Sequence, residues 1–127
     1  MTEAEIQKEL ARVLDRAGLC WTATANGGKR DKRTAASLKA QGLKPGVPDI
    51  LIFNSPPHHP EAKGLALELK RAKGGRASPH QKVWISELER LGWIATIAHG
   101  LDQALDELVK AGYLDASTYD TTKEQTS

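Results

Sequence analysis

Apolar positions at the start of the chain recur with helical spacing. Ile6, Leu10, Val13, Leu14 and Ala17 lie on one side of a 3.6-residue turn, and Gly18 closes the pattern. Thr2 and Glu5 stand at capping-box spacing, so the helix is expected to begin at Thr2. A short strand over about residues 20–25 follows. Residues 26–46 are rich in Gly, Lys and Arg and poor in large apolar side chains. They read as a long basic loop with a single helical turn near Ala35–Lys39, and loops of that length in a small domain usually carry function.

The pattern then changes period. Residues 49–54, built on the continuous apolar run Ile50–Phe53 behind Pro48, read as a buried strand. Pro56, Pro57 and Pro60 mark a connecting loop. Residues 64–70 alternate with period two, placing Leu65, Leu67 and Leu69 on one face and Ala66, Glu68 and Lys70 on the other. Ser78 with Pro79 behind it opens a second helix whose apolar stripe is Trp84, Ile85, Leu88 and Leu91. A strand over 93–98 and a last helix carrying Leu101, Leu105, Leu108 and Val109 complete the series, closing near Gly112. The expected order is α-β-β-β-α-β-α, a small central mixed sheet flanked by helices on both faces, an α/β domain. The domain is expected to span 1–113. Residues 114–127, rich in Thr and Ser, are expected to form a disordered tail.

Length changes this picture little: 127 residues suit one domain. The longest apolar run, Ile50–Phe53, is too short for a membrane span, and charges through the first twenty residues do not suit a secretory leader. The single cysteine, Cys20, leaves no internal disulfide, and no His spacing makes a zinc site with it. An intracellular, cytoplasmic protein is expected. Charge does change the picture. The overall formal charge of +2 conceals a middle segment, residues 29–82, with twelve basic and four acidic side chains, between flanks that are net acidic. A basic middle of this kind suits a polyanion, most simply nucleic acid.

Three groups of polar residues ask for an explanation beyond solvation. Glu68 and Lys70 project from the same face of a strand that otherwise looks interior, which is costly unless they pair or bind something. Asp49 stands at the mouth of the preceding strand. If the two strands pair as a hairpin, Asp49 falls near Glu68 and Lys70 at the end away from the connecting loop. Such a group offers hard oxygen ligands for Mg²⁺ or Mn²⁺ and a cation to hold a water or a phosphate oxygen. Glu3 shares the apolar stripe of the first helix, with Gln7 one turn on. It is either a residue favouring the helix N-terminus or a further carboxylate for the site. Gln81 either completes a capping box with Ser78 or leans inward toward the sheet.

Taken in order, Glu3 and Gln7, basic Lys29 and Arg30, Gly46-Val47-Pro48-Asp49, then Glu68-Leu69-Lys70 nineteen positions beyond Asp49, then Ser78 and Gln81, resemble the VRR-NUC family of the PD-(D/E)xK nuclease superfamily. The chain is similar to the stand-alone, phage-type members. The resemblance implies a restriction-endonuclease-like fold and metal-dependent hydrolysis of phosphodiester bonds, with branched DNA such as four-way (Holliday) junctions as substrate and a homodimer as the working form. It implies Asp49, Glu68, the Leu69 backbone carbonyl and Glu3 as ligands of Mg²⁺ or Mn²⁺. Lys70 and Gln81 would act beside them, and Lys29, Arg30, Lys32, Arg33, Lys73 and Arg76 would contact DNA phosphates. The competing expectation is a non-catalytic nucleic-acid-binding module, or an accessory subunit of a phage replication or repair complex. Such a protein would keep the basic surface without needing carboxylates beside it.

Overall fold

The computed structural model describes residues 1–24 and 31–117. Helix α1 (Glu3–Arg16) leads into strand β1 (Trp21–Ala23), helix α2 (Lys32–Ala40), strands β2 (Ile50–Ile52) and β3 (Leu65–Lys70), helix α3 (Pro79–Arg90), strand β4 (Ile94–His99) and helix α4 (Leu101–Ala111). The sheet order is β1-β2-β3-β4, with the first two pairings antiparallel and β3–β4 parallel. It is the expected mixed α/β sheet with one added helix. Where a basic loop with one helical turn is expected, α2 runs for nine residues, its first turn closed by the Asp31 side chain accepting from Thr34 N at 2.7 Å. It buries no side chain, so hydrophobic periodicity carries no sign of it.

The two faces of the sheet are covered differently. Helices α1 and α4 pack on each other and on β3 and β4. Ile6, Leu10 and Leu14 from α1 and Ala104, Leu108 and Ala111 from α4 meet Ile50, Ile52, Leu65, Leu67, Leu69 and Ala98. Each Leu or Ile buried here contributes about 1.5–3 kcal/mol. These sheet residues are register partners across the strands, Ile50 opposite Leu67 and Leu69 opposite Ala98, so they share one face. The opposite face carries Ala66, Glu68 and Lys70 and is covered by α3, which packs on β3 and β4. All six residues of β3 are consequently buried, the polar ones included.

The C-terminal expectation divides at the limit of the described residues. Tyr113 is buried with its hydroxyl donating to the Asn54 carbonyl at 2.5 Å, and Leu114 packs against the core. Residues 118–127 lie outside the described residues, as do Ala25 of the first expected strand, Lys29 and Arg30.

Candidate active site

The hairpin register brings the first two candidate residues together. Ile50 faces Leu67 across β2–β3, and one step further along the same register Asp49 faces Glu68. The Asp49 side chain turns onto the neighbouring strand, where Oδ2 accepts from Leu69 N at 2.8 Å. Its position depends on the turn before it. Pro48 is fully buried, its carbonyl accepting from the Thr24 hydroxyl at 2.8 Å, and Trp84 Nε1 donates to the Pro45 carbonyl at 3.0 Å. Gly46 has φ +88°, and a Cβ there would stand 2.6 Å from the His80 carbonyl carbon. Only glycine satisfies both the dihedral and the approach. The residues ahead of β2 are thereby locked onto the start of α3.

That same helix start supplies Gln81, and the structure gives it both of its expected roles at once. Ser78 and Gln81 form a reciprocal capping box, with Ser78 N donating to Gln81 Oε1 at 2.8 Å and Gln81 N to Ser78 Oγ at 3.2 Å. The amide nitrogen left over by the cap, Nε2, donates to Glu68 Oε2 at 3.1 Å. Cap and inward contact use different ends of one amide, so they do not compete.

Glu68 is 1% exposed and Lys70 8%. Lys70 Nζ lies 3.6 Å from Glu68 Oε2, the oxygen that Gln81 also reaches. The ordinary solvated strand pair is therefore excluded. Burial, a hydrogen bond with Asp49 and the charge of Asp49 together push the Glu68 carboxyl up to about 8, with Lys70 pulling the other way. The second oxygen, Oε1, is buried without a hydrogen-bond partner. Two ionised carboxylates can only accept, so a proton or a cation must stand between Asp49 and Glu68 for both to be satisfied.

The remaining expected residues are placed less closely. Glu3 is exposed in the first turn of α1, although the sequence pattern puts it on the apolar stripe. The buried stripe is Ile6, Leu10 and Leu14, and Glu3 lies ahead of it beside the Thr2–Glu5 capping box. Among the described residues no group of three or more His, Cys, Asp or Glu side chains could hold a metal ion, so Glu3 does not close on the pair. Lys32 and Arg33 occupy the exposed first turn of α2, and Lys73 and Arg76 the exposed segment between Lys70 and Ser78. His58 lies in the proline-bearing loop between β2 and β3. It is exposed, yet its backbone N donates to the Ala111 carbonyl at 2.9 Å and its Nδ1 lies 3.1 Å from the Lys110 carbonyl, at the C-terminus of α4.

Comparison with known proteins places the chain in a family. The family model of the VRR-NUC domain matches residues 1–102. The chain belongs to the VRR-NUC family. A solved structure titled "VRR_NUC domain protein" is similar to it at 26% identity, with a TM-score of 0.69 and 90% of each chain covered. No protein of curated function matches the chain. As a VRR-NUC domain the chain is a nuclease-type domain with DNA as its partner. VRR-NUC nucleases generally depend on a divalent metal, and the residues present fit one. Oε1 of Glu68 lacks a donor, its neighbour Asp49 is a second hard oxygen ligand, and the pair is held in place by Leu69 N and Gln81 Nε2. No helix among the described residues is long and apolar enough to cross a membrane.

Proposed function

We propose that the chain is a metal-dependent, structure-specific DNA endonuclease that hydrolyses phosphodiester bonds in branched DNA such as four-way junctions, working as a homodimer. The observation that carries this reading is the buried Glu68 beside the half-buried Asp49, with Glu68 Oε1 unpartnered and Lys70 Nζ next to it. A protein that only bound DNA would not place carboxylates where phosphates must come.

In this reading Asp49, Glu68 and the Leu69 backbone carbonyl hold Mg²⁺ or Mn²⁺. The ion, when bound, polarises the scissile phosphate and acidifies the attacking water. Lys70 orients that water or balances charge growing on the phosphate, its Nζ steered by Glu68 Oε2. Gln81 keeps Glu68 in place through Nε2 while its carbonyl oxygen caps α3. Glu3, exposed at the start of α1, belongs to the same reading as a carboxylate for a second ion or a water outside the Asp49–Glu68 pair. Lys29, Arg30, Lys32, Arg33, Lys73 and Arg76 contact backbone phosphates, which supplies affinity and salt dependence but little reading of sequence.

The test is cleavage of labelled four-way junction, flap and linear duplex DNA with Mg²⁺, Mn²⁺ or EDTA, alongside Lys70→Ala and Asp49→Asn. Metal-dependent cutting of the junction is expected, lost in both variants while DNA binding is largely kept. Full activity in either variant would sink the assignment. Binding without cutting under every metal would favour a non-catalytic module or an accessory subunit.

A further inference from the structure

We infer that His99 forms a phosphate subsite beside Lys70, its ring donating a hydrogen bond to a non-bridging oxygen of the DNA backbone next to the scissile bond. The inference rests on the nuclease reading and adds a substrate contact at the end of β4.

The parallel register of β3 and β4 sets Lys70 opposite His99. Opposite residues of neighbouring strands are about 5 Å apart and project from the same face. The active face therefore runs across three strands, from Asp49 ahead of β2, through Glu68 and Lys70 on β3, to His99 at the end of β4. The backbone at His99 is held on both sides. Gly100 N donates to the Lys70 carbonyl at 2.8 Å, and His99 N donates to Gln103 Oε1 at 2.9 Å. The second bond closes the outer edge of the sheet, where no further strand is paired, and fixes the residue that bears the ring.

The ring itself is free. His99 is half-buried, and among the described residues its side chain makes no hydrogen bond or ion pair. A half-buried imidazole gains little from leaving both nitrogens idle, and a neutral ring already has one N–H to donate. Its surroundings suit an anion. Arg71 and Lys73 are exposed on the segment leaving β3, and that segment stays close, since a Cβ on Gly100 would lie 3.2 Å from Ala72 Cβ. A phosphate drawn to Lys70 from solvent has its neighbour within reach of this corner.

The experiment uses the full chain, a cleavable junction, and a set of junctions each carrying one uncharged methylphosphonate near the cut. Wild type should lose about tenfold in affinity when one particular phosphate is neutralised, the size expected of a hydrogen bond to a charged oxygen. His99→Ala should raise KM about tenfold on the normal junction, with kcat nearly unchanged, and should be indifferent to that same methylphosphonate. His99→Asn, which restores a donor, should recover most of the loss. Thermal unfolding of both variants checks that they fold. If His99→Ala remains as sensitive as wild type to every methylphosphonate, the subsite is wrong. If wild type cuts nothing under any metal, the nuclease reading fails, and the dissociation constants of the same junctions still decide whether His99 holds a phosphate.

Discussion

Glu68→Gln separates the two demands placed on the buried carboxyl, that of stability and that of metal binding. In the absence of metal the Glu68 carboxyl is raised from 4.5 to about 8, chiefly by burial and then by Asp49. The folded chain therefore holds a proton at this position that the unfolded chain releases between those two values. Its contribution to stability is fully present below pH 4.5 and is lost as pH rises through 8. A tenfold change in proton affinity is worth about 1.4 kcal/mol, so the loss across the window has a ceiling of roughly 5 kcal/mol. Asp49 and Lys70 adjust as the proton leaves, which brings the measured value below that ceiling. Glutamine keeps an acceptor for Gln81 Nε2 and offers Asp49 an N–H in place of the shared proton, but it cannot ionise.

Urea unfolding of wild type and Glu68→Gln in EDTA, at pH 5, 7 and 9, reads this directly. The variant should be close to wild type at pH 5 and more stable than it by a few kcal/mol at pH 9. With millimolar Mg²⁺ or Mn²⁺ the order should reverse, because the ion takes the place of the proton in wild type alone. Calorimetric titration of wild type at pH 7, in buffers of different ionisation enthalpy, should accordingly show about one proton released per ion bound. Parallel pH profiles for the two proteins, together with metal binding that releases no proton, would refute the shared-proton account of the pair.

Gly46→Ala should destabilise the chain by at least ~2 kcal/mol in chemical denaturation, since it adds a contact with the His80 backbone to the strain of φ +88°. Gly42→Ala is the control, with φ +105° and open space for its Cβ, so it should cost only the strain, and equal losses in the two variants would remove the packing argument. For the homodimer, light scattering at micromolar concentration should give twice the chain mass of 13.8 kDa, and the mass of a single chain would count against it.

What was legible in the sequence divides by the range of the interaction that decides it. Alternation along residues 64–70 puts Glu68 and Lys70 on one face, because the period of a strand is a property of the local backbone. It does not say whether that face meets solvent. Burial comes from α3 and from the segment that folds back after Lys70, where a Cβ on Gly75 would stand 3.0 Å from Lys70 Cβ. Helix α2 shows in the sequence only as a single turn near Ala35–Lys39, for the opposite reason. It has a local cap in Asp31 but no buried stripe, and periodicity reports only helices that pack on something. Glu3 shows the limit of the same signal, since helical spacing is cyclic and cannot say where along its axis a helix stops touching the sheet.

The site follows the same division. Asp49 and Glu68 come from consecutive strands, and a proline-bearing connection without a helix between such strands makes antiparallel pairing the natural outcome. Their meeting could therefore be argued from order along the chain. His99 comes from the strand after a helical crossover, and its position opposite Lys70 depends on how far α3 carries the chain back along the sheet. No local pattern encodes that distance. In the sequence His99 is a histidine without metal-ligand spacing and nothing more. The residues legible in the sequence are those that a direct strand-to-strand connection brings together, and the parallel neighbour across the crossover needs the register to be seen.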